Sequence, residues 1–405
     1  MSSPSGLSVL VHGAILSPFT ELRRLLHGID PGHKEPIDLT IGEPRDAMPP
    51  FVAEKIAEAA ASFAKYPPIR GTPELGNAIA EWIARRYGPE VAVDPEREVL
   101  PLSGSREGLF YAAIPAVGRK QAKGQPAILM CNPYYGAYFG AALAVDAEPV
   151  FLNATEATGH LPDLDEIAGD KGLLDRTAAL YLCSPANPQG AVASAAYIGR
   201  ALELARAHDF MLFLDECYSE IYSAEPPPGA LQVAAATSER FRNLITFNSL
   251  SKRSNLPGLR SGFCAGDAKF LETFAEIRNL VAPQMPGPTQ HASAEVWREE
   301  AHVIANRQAY REKYDVCDIH LSGRYGHHRP AGGFFLWLDV TNFGGSGDAA
   351  VTLWKHCGVK VLPGVFLAQA GRDGTNPGAN YVRLALVHDV VTVGKALERF
   401  VAVLA

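Results

Sequence analysis

Short apolar runs that end in small or polar residues alternate along this chain with amphipathic stretches of ten or more residues, the rhythm of strands and helices in an α/β sheet. The runs predict strands at 99–102, 127–131, 149–152, 178–183, 211–214, 244–247 and 262–265. Between them, stretches such as 107–117, 195–208 and 269–280 are long enough to carry right-handed crossovers between parallel strands. The pattern predicts a large three-layer α/β domain on a mostly parallel seven-stranded sheet. After Pro283 and the Pro286-Gly287-Pro288 breaker, one long polar helix is expected over 289–318. Strands at 333–339, 359–362 and 381–386, with helices at 348–357 and 391–403, then suggest a smaller α+β domain. The expected organisation is an N-terminal arm and part of the small domain over 1–48, the large domain over 49–285, and the interdomain helix with the small domain over 286–405.

Composition narrows the function. The 405 residues are 47% hydrophobic and 20% charged, which excludes a disordered or collagen-like chain. A net charge of -7 without any Lys/Arg block argues against nucleic acid as a partner. No uninterrupted apolar run reaches eighteen residues, so no membrane span is expected. Residues 8–16 are mildly apolar, but without a basic flank or small-residue cleavage site they read as an ordered arm. Six widely spaced cysteines fit reduced thiols in a cytoplasmic protein. The histidines lack metal-ligand spacing, so no metal is expected.

The most informative stretch is Ser249-Leu250-Ser251-Lys252-Arg253, with Arg260 downstream, directly after a predicted strand. An amine beside Arg253 and Arg260 has its charged form disfavoured, the state a Schiff-base lysine must reach. Ser249, Ser251 and Arg260 suit a phosphate. Asp215 ends a buried strand, where a carboxylate is costly unless it meets a cation, although capping the next helix would also explain it. Asn187, in Ser184-Pro185-Ala186-Asn187-Pro188, offers an amide at another strand end or simply a turn. Ser103-Gly104-Ser105-Arg106-Glu107 runs from strand into helix and exposes amides at a helix start, as a phosphate cradle or an ordinary cap. Tyr134, Tyr135 and Tyr138 offer faces for a planar ring. Arg383 sits between apolar neighbours, where its guanidinium calls for a substrate carboxylate or a nearby Asp or Glu.

Taken together these residues resemble the class I/II aminotransferases of the pyridoxal-phosphate fold type I family. The resemblance spans nearly the whole chain, from Ile41-Gly42-Glu43-Pro44 through Tyr66 and Arg70-Gly71 to Arg383, and order and spacing agree. Asp215 follows Asn187 by 28 positions and precedes Lys252 by 37. It implies a transaminase in which Lys252 condenses with the aldehyde of pyridoxal 5'-phosphate, Asp215 pairs with the pyridine nitrogen, and Asn187 and Tyr218 hold the phenolic oxygen. Tyr135 would stack on the ring. The phosphate would be enclosed by the amides of Ser105 and Arg106, by Ser249, Ser251 and Arg260, and by Tyr66 from a second subunit, which implies a homodimer with shared sites. Arg383, with Gly42 and Asn187, would clamp the substrate's α-carboxylate. The implied partners are small amino and oxo acids.

The segments 249–263 and 376–387 are similar to bacterial succinyldiaminopimelate transaminases of lysine biosynthesis. That similarity implies exchange between glutamate and N-succinyl-2-amino-6-oxopimelate, with Arg70 or Arg45 as candidates for a distal carboxylate. Gln189 stands where a threonine is common, and 67–70 departs from the subfamily's form. Transamination of aspartate-like or other amino acids, or carbon–sulfur β-elimination on the same scaffold, therefore stays open. A transcription regulator carrying such a domain is not expected, because the motifs begin by Ile41 and the net charge is acidic.

Overall fold

The computed structural model describes residues 17–405 apart from 122, 123 and 283. The predicted arm at 8–16 and the breaker Pro283 lie outside the described residues. Twelve strands are seen among them: β1 (Ile37–Asp38), β2 (Val99–Leu102), β3 (Ala127–Asn132), β4 (Glu148–Asn153), β5 (Thr177–Cys183), β6 (Met211–Asp215), β7 (Leu244–Ser249), β8 (Gly262–Gly266), β9 (Phe335–Asp339), β10 (Val359–Lys360), β11 (Leu362–Pro363) and β12 (Tyr381–Ala385).

The large sheet has the order β2-β8-β7-β6-β5-β3-β4. Strands β4, β3, β5, β6 and β7 run parallel, and β8 is antiparallel to both of its neighbours. Every residue of β3, β5, β6 and β7 is buried, as a sheet covered on both faces requires. The two-residue period of the strands sorts their side chains. Leu180, Leu182, Leu212 and Leu214 pack on one side with Trp82 and Trp297, while Tyr181, Met211, Phe213 and Phe247 pack on the other with Leu109, Tyr138 and Phe274.

A three-stranded antiparallel sheet, β11-β12-β9, and the pair β1-β10 form a second core with the helices Gly345–Cys357 and Val390–Val403. The N-terminal segment joins this core through Ile37 and Leu39.

Three predicted elements are divided. The helix expected at 107–117 is Ser105–Tyr111 followed by Ala113–Arg119, because Pro115 has no N–H to bond the Tyr111 carbonyl. The helix expected at 289–318 is Gly287–Arg298 and then Ala301–Leu321, with Glu299 extended between them. The last carbonyls of the first piece are taken by guanidiniums: Arg85 donates to Trp297 at 2.8 Å and Arg253 to Val296 at 2.8 Å. The strand expected at 359–362 splits into β10, which pairs with β1, and β11, which pairs with β12. No helix among the described residues is long and apolar enough to cross a membrane.

Candidate active site

The parallel strands β5, β6 and β7 release their C-terminal ends along one edge, the usual ligand position in such sheets. Register sets Cys183 opposite Asp215 and Asp215 opposite Phe247. From that edge Asn187 extends beyond β5, Asp215 closes β6, and Ser249 closes β7 and caps the single helical turn Leu250–Arg253 that carries Lys252. Strand β12 brings Arg383 from the small sheet.

Lys252 Nζ donates to the carbonyl of Gly42 and lies 5.3 Å from the centre of the Phe334 ring. Burial is the main reason its pKa falls from 10.5 to about 8, with the charges of Arg383 and Arg106 acting in the same direction. This corrects the sequence expectation for the cause. The Arg253 guanidinium is turned the other way, over Trp297 and onto Glu300, and Arg260 reaches the carbonyls of Pro257 and Ser103. A side chain at Gly42 would meet the Phe335 ring at 2.6 Å, so the close approach of this backbone needs glycine.

Asp215 is 6% exposed and, among the described residues, forms no ion pair. Its oxygens accept from the Tyr138 hydroxyl at 2.7 Å and the Cys217 amide at 3.1 Å, and burial raises its pKa. Tyr138 stacks on Tyr181 with ring centres 4.7 Å apart. No helix follows Asp215 directly, so the capping alternative does not hold. The Tyr218 ring stands edge-on to Phe334 and Phe335 at 5.4 and 5.8 Å, which fixes its hydroxyl within the same cluster.

Arg383 is 5% exposed and pairs with no carboxylate among the described residues. Nη2 donates to the Thr40 carbonyl at 2.6 Å, Nη1 to Asn187 Oδ1 at 3.2 Å, and Nε has no partner. Burial lowers its pKa to about 10, and the guanidinium rests 4.4 Å from the centre of the Phe335 ring. A buried guanidinium satisfied only by neutral groups is a receptor for an anion.

On the other side lies a cradle. Gly104, with φ of 87°, ends the turn after β2, and a Cβ there would strike Arg260 Nη2. Ser105 opens the next helix and accepts from the Cys217 thiol at 3.1 Å, while Ser249 Oγ and Ser251 Oγ are 2.9 Å apart. The side chain of Arg106 stands at the rim, its Nε donating to the Tyr135 hydroxyl at 2.5 Å.

Thus Gly42, Ser105, Arg106, Tyr135, Asn187, Asp215, Tyr218, Ser249, Ser251, Lys252, Arg260 and Arg383 gather along this edge and its rim. Two expected residues do not. Tyr66 is fully exposed at 101%, and Arg70 donates to the Glu96 carbonyl at 3.0 Å beside a separate groove of ≈ 500 Å³ lined by Thr72, Asn77, Arg97 and Glu272. Arg45 Nη1 lies 3.2 Å from His388 Nδ1. Sequence reasoning missed Tyr138 as the partner of Asp215; its only signal was a position one helical turn beyond Tyr135. The described residues contain no His, Cys, Asp or Glu group able to hold a metal ion.

The donors suit one kind of group: a flat ring whose cationic nitrogen meets Asp215, whose aldehyde meets Lys252, and whose anion meets the glycine turn and Arg260. Those are the features of pyridoxal phosphate, and the fold is that of fold type I enzymes. Comparison with known proteins agrees. A family model described as aminotransferase class I and II matches residues 34–400. An aminotransferase from Neisseria meningitidis of known crystal structure is 38% identical, with a TM-score of 0.91 over 98% of this chain and 100% of the other. The LL-diaminopimelate aminotransferase of Moorella thermoacetica is 30% identical over 91% of this chain and 90% of its own. The probable N-succinyldiaminopimelate aminotransferase of Thermus thermophilus is 26% identical, with a TM-score of 0.79 over 95% of this chain and 99% of the other. The chain belongs to the class I and II aminotransferases. It is a transaminase dependent on pyridoxal phosphate.

Proposed function

We propose that this transaminase exchanges the amino group of glutamate with N-succinyl-2-amino-6-oxopimelate, a step of lysine biosynthesis. The observation that carries the reading is Lys252, a half-buried amine whose pKa is lowered to about 8, at one sheet edge with Arg383 and Asp215, neither of which forms an ion pair among the described residues. When bound, the cofactor supplies the electron sink that acidifies the substrate's Cα–H. The protein supplies placement and proton transfer. Asp215, oriented by Tyr138 and the Cys217 amide, holds the positive charge of the ring nitrogen. Lys252 Nζ, with its pKa lowered to about 8, would be the group that takes and holds the proton from the substrate's Cα. Tyr218 and Asn187 would hold the phenolic oxygen, and Tyr135 would cover the ring. Ser105, Arg106, Ser249, Ser251 and Arg260 would hold the phosphate through backbone amides, hydroxyls and the guanidinium, and Tyr66, exposed on its own protomer, would complete that shell in a homodimer.

Arg383 with Asn187 and Gly42 orients the α-carboxylate, which every amino-acid substrate carries. For the distal carboxylate the structure favours Arg106 over Arg70 and Arg45. Arg106 acts on the charge of Lys252, whereas Arg70 is occupied with the Glu96 carbonyl beside a separate groove. Both proposed substrates are polyanions, and two guanidiniums flanking one amine suit them. The likeness to the Moorella and Thermus aminotransferases, both named for diaminopimelate or its succinyl derivative, supports the choice of pathway. The test is a panel of amino donors with 2-oxoglutarate and, in reverse, glutamate with the succinylated oxo acid, followed by amino-group exchange. Exchange with the succinylated substrate far above that with aspartate or alanine is expected. Pyruvate released from cystathionine in its place would identify the lyase instead.

A further inference from the structure

The one-turn helix Leu250–Arg253 is too short to satisfy its own end: the carbonyls of Lys252 and Arg253 have no intrahelical donor. Both are met by a single side chain from the long helix Ala301–Leu321. Asn306, 7% exposed, donates Nδ2 to the Lys252 carbonyl at 3.1 Å and to the Arg253 carbonyl at 3.2 Å, while its Oδ1 has no partner. The favour is returned. Arg253 Nη1 donates to Val296 at 2.8 Å, and Nη2 donates to the Glu299 carbonyl at 3.2 Å and the Glu300 carboxylate at 2.7 Å, closing the break between the two long helices. Ser254 continues the contact, with Oγ 2.8 Å from His302 Nε2, whose Nδ1 in turn meets Glu299.

We infer that Asn306 is a positioning residue for Lys252: by capping the turn that bears the amine, it ties the amine to the helix that leads into the small core. The inference rests on the proposed role of Lys252. Ser249 caps the start of the turn and the Leu250 amide donates to the Ser261 carbonyl at 3.1 Å, while the Lys252 carbonyl is held by Asn306 and the reciprocal Arg253 contacts anchor the end of the turn. A displacement of this turn moves Nζ away from the Gly42 carbonyl, and small displacements of a reacting group are expensive.

The experiment compares wild type with Asn306→Leu, which keeps bulk and loses the donor, Asn306→Ala as a second variant should the first not fold, and Ile304→Ala on an exposed face of the same helix as control. Acetic anhydride labelling of Lys252 across pH, read by mass spectrometry on the cofactor-free protein, reports the amine itself. Expected for Asn306→Leu is a labelling midpoint moved by about one pH unit, and in the holoenzyme a kcat lowered about tenfold with KM nearly unchanged. Ile304→Ala should match wild type in both. A lower melting temperature with unchanged labelling midpoint and unchanged kcat would overturn the inference. Failure of borohydride to trap the cofactor on residue 252 of wild type would instead overturn the reading of Lys252.

Discussion

Arg383 Nη1 reaches Asn187 Oδ1 at 3.2 Å, joining the small sheet to the loop after β5 across 196 positions of sequence. With Nε unpaired and no ion pair among the described residues, this guanidinium is poised for a carboxylate. Arg383→Met is expected to lower kcat/KM by about a hundredfold or more, about 3 kcal/mol, for every amino donor alike. Cofactor binding, followed by absorbance titration, should stay within a few-fold of wild type. Loss confined to dicarboxylic donors would contradict the assignment.

Arg106 and Arg70 separate by donor type. Arg106→Gln should raise KM for glutamate about tenfold and leave alanine nearly unaffected, with a loss that shrinks at high salt because the rim is exposed. Arg70→Ala should leave the glutamate-to-alanine ratio unchanged. Steady-state kinetics with both donors decides between them, and the opposite pattern would restore Arg70.

Glu216, next to Asp215, has no place in the proposed chemistry. It is 2% exposed, accepts from the Ala230 amide at 2.7 Å, the Tyr87 hydroxyl at 3.2 Å and Asn248 Nδ2 at 3.3 Å, and burial lifts its pKa from 4.5 to about 7. A carboxyl whose folded pKa is raised contributes fully below its unfolded value, and that stability is lost as pH rises through about 7. Glu216→Gln should therefore gain in melting temperature relative to wild type between about pH 5 and about pH 8. A difference that is flat with pH would remove Glu216 from this role.

Much of the architecture is legible in the sequence because strand burial leaves a plain signature. The fully buried runs of β3, β5, β6 and β7 stand out as continuous apolar stretches, and polar residues at their ends mark the functional edge. What stays hidden depends on contacts distant in sequence. The antiparallel run of β8 follows from pairing with β2 and β7. The break at Glu299 follows from Arg85 and Arg253, hundreds and tens of positions away. The motif around Lys252 identifies the amine correctly, but it points to chain neighbours as the cause of the low pKa, whereas burial and the distant Arg106 and Arg383 are responsible. Tyr138 escapes because the run of tyrosines reads as faces for a planar ring, and the use of its hydroxyl shows only once the carboxylate opposite it is known.

Gly42 and Arg383 meet Lys252 from opposite flanks of the primary structure, 210 positions before it and 131 after. During synthesis the amine and its sheet emerge well before β12 does. The lysine and the sheet edge that carries it are thus on hand in the growing chain before the strand that bears the amino-acid clamp has been translated.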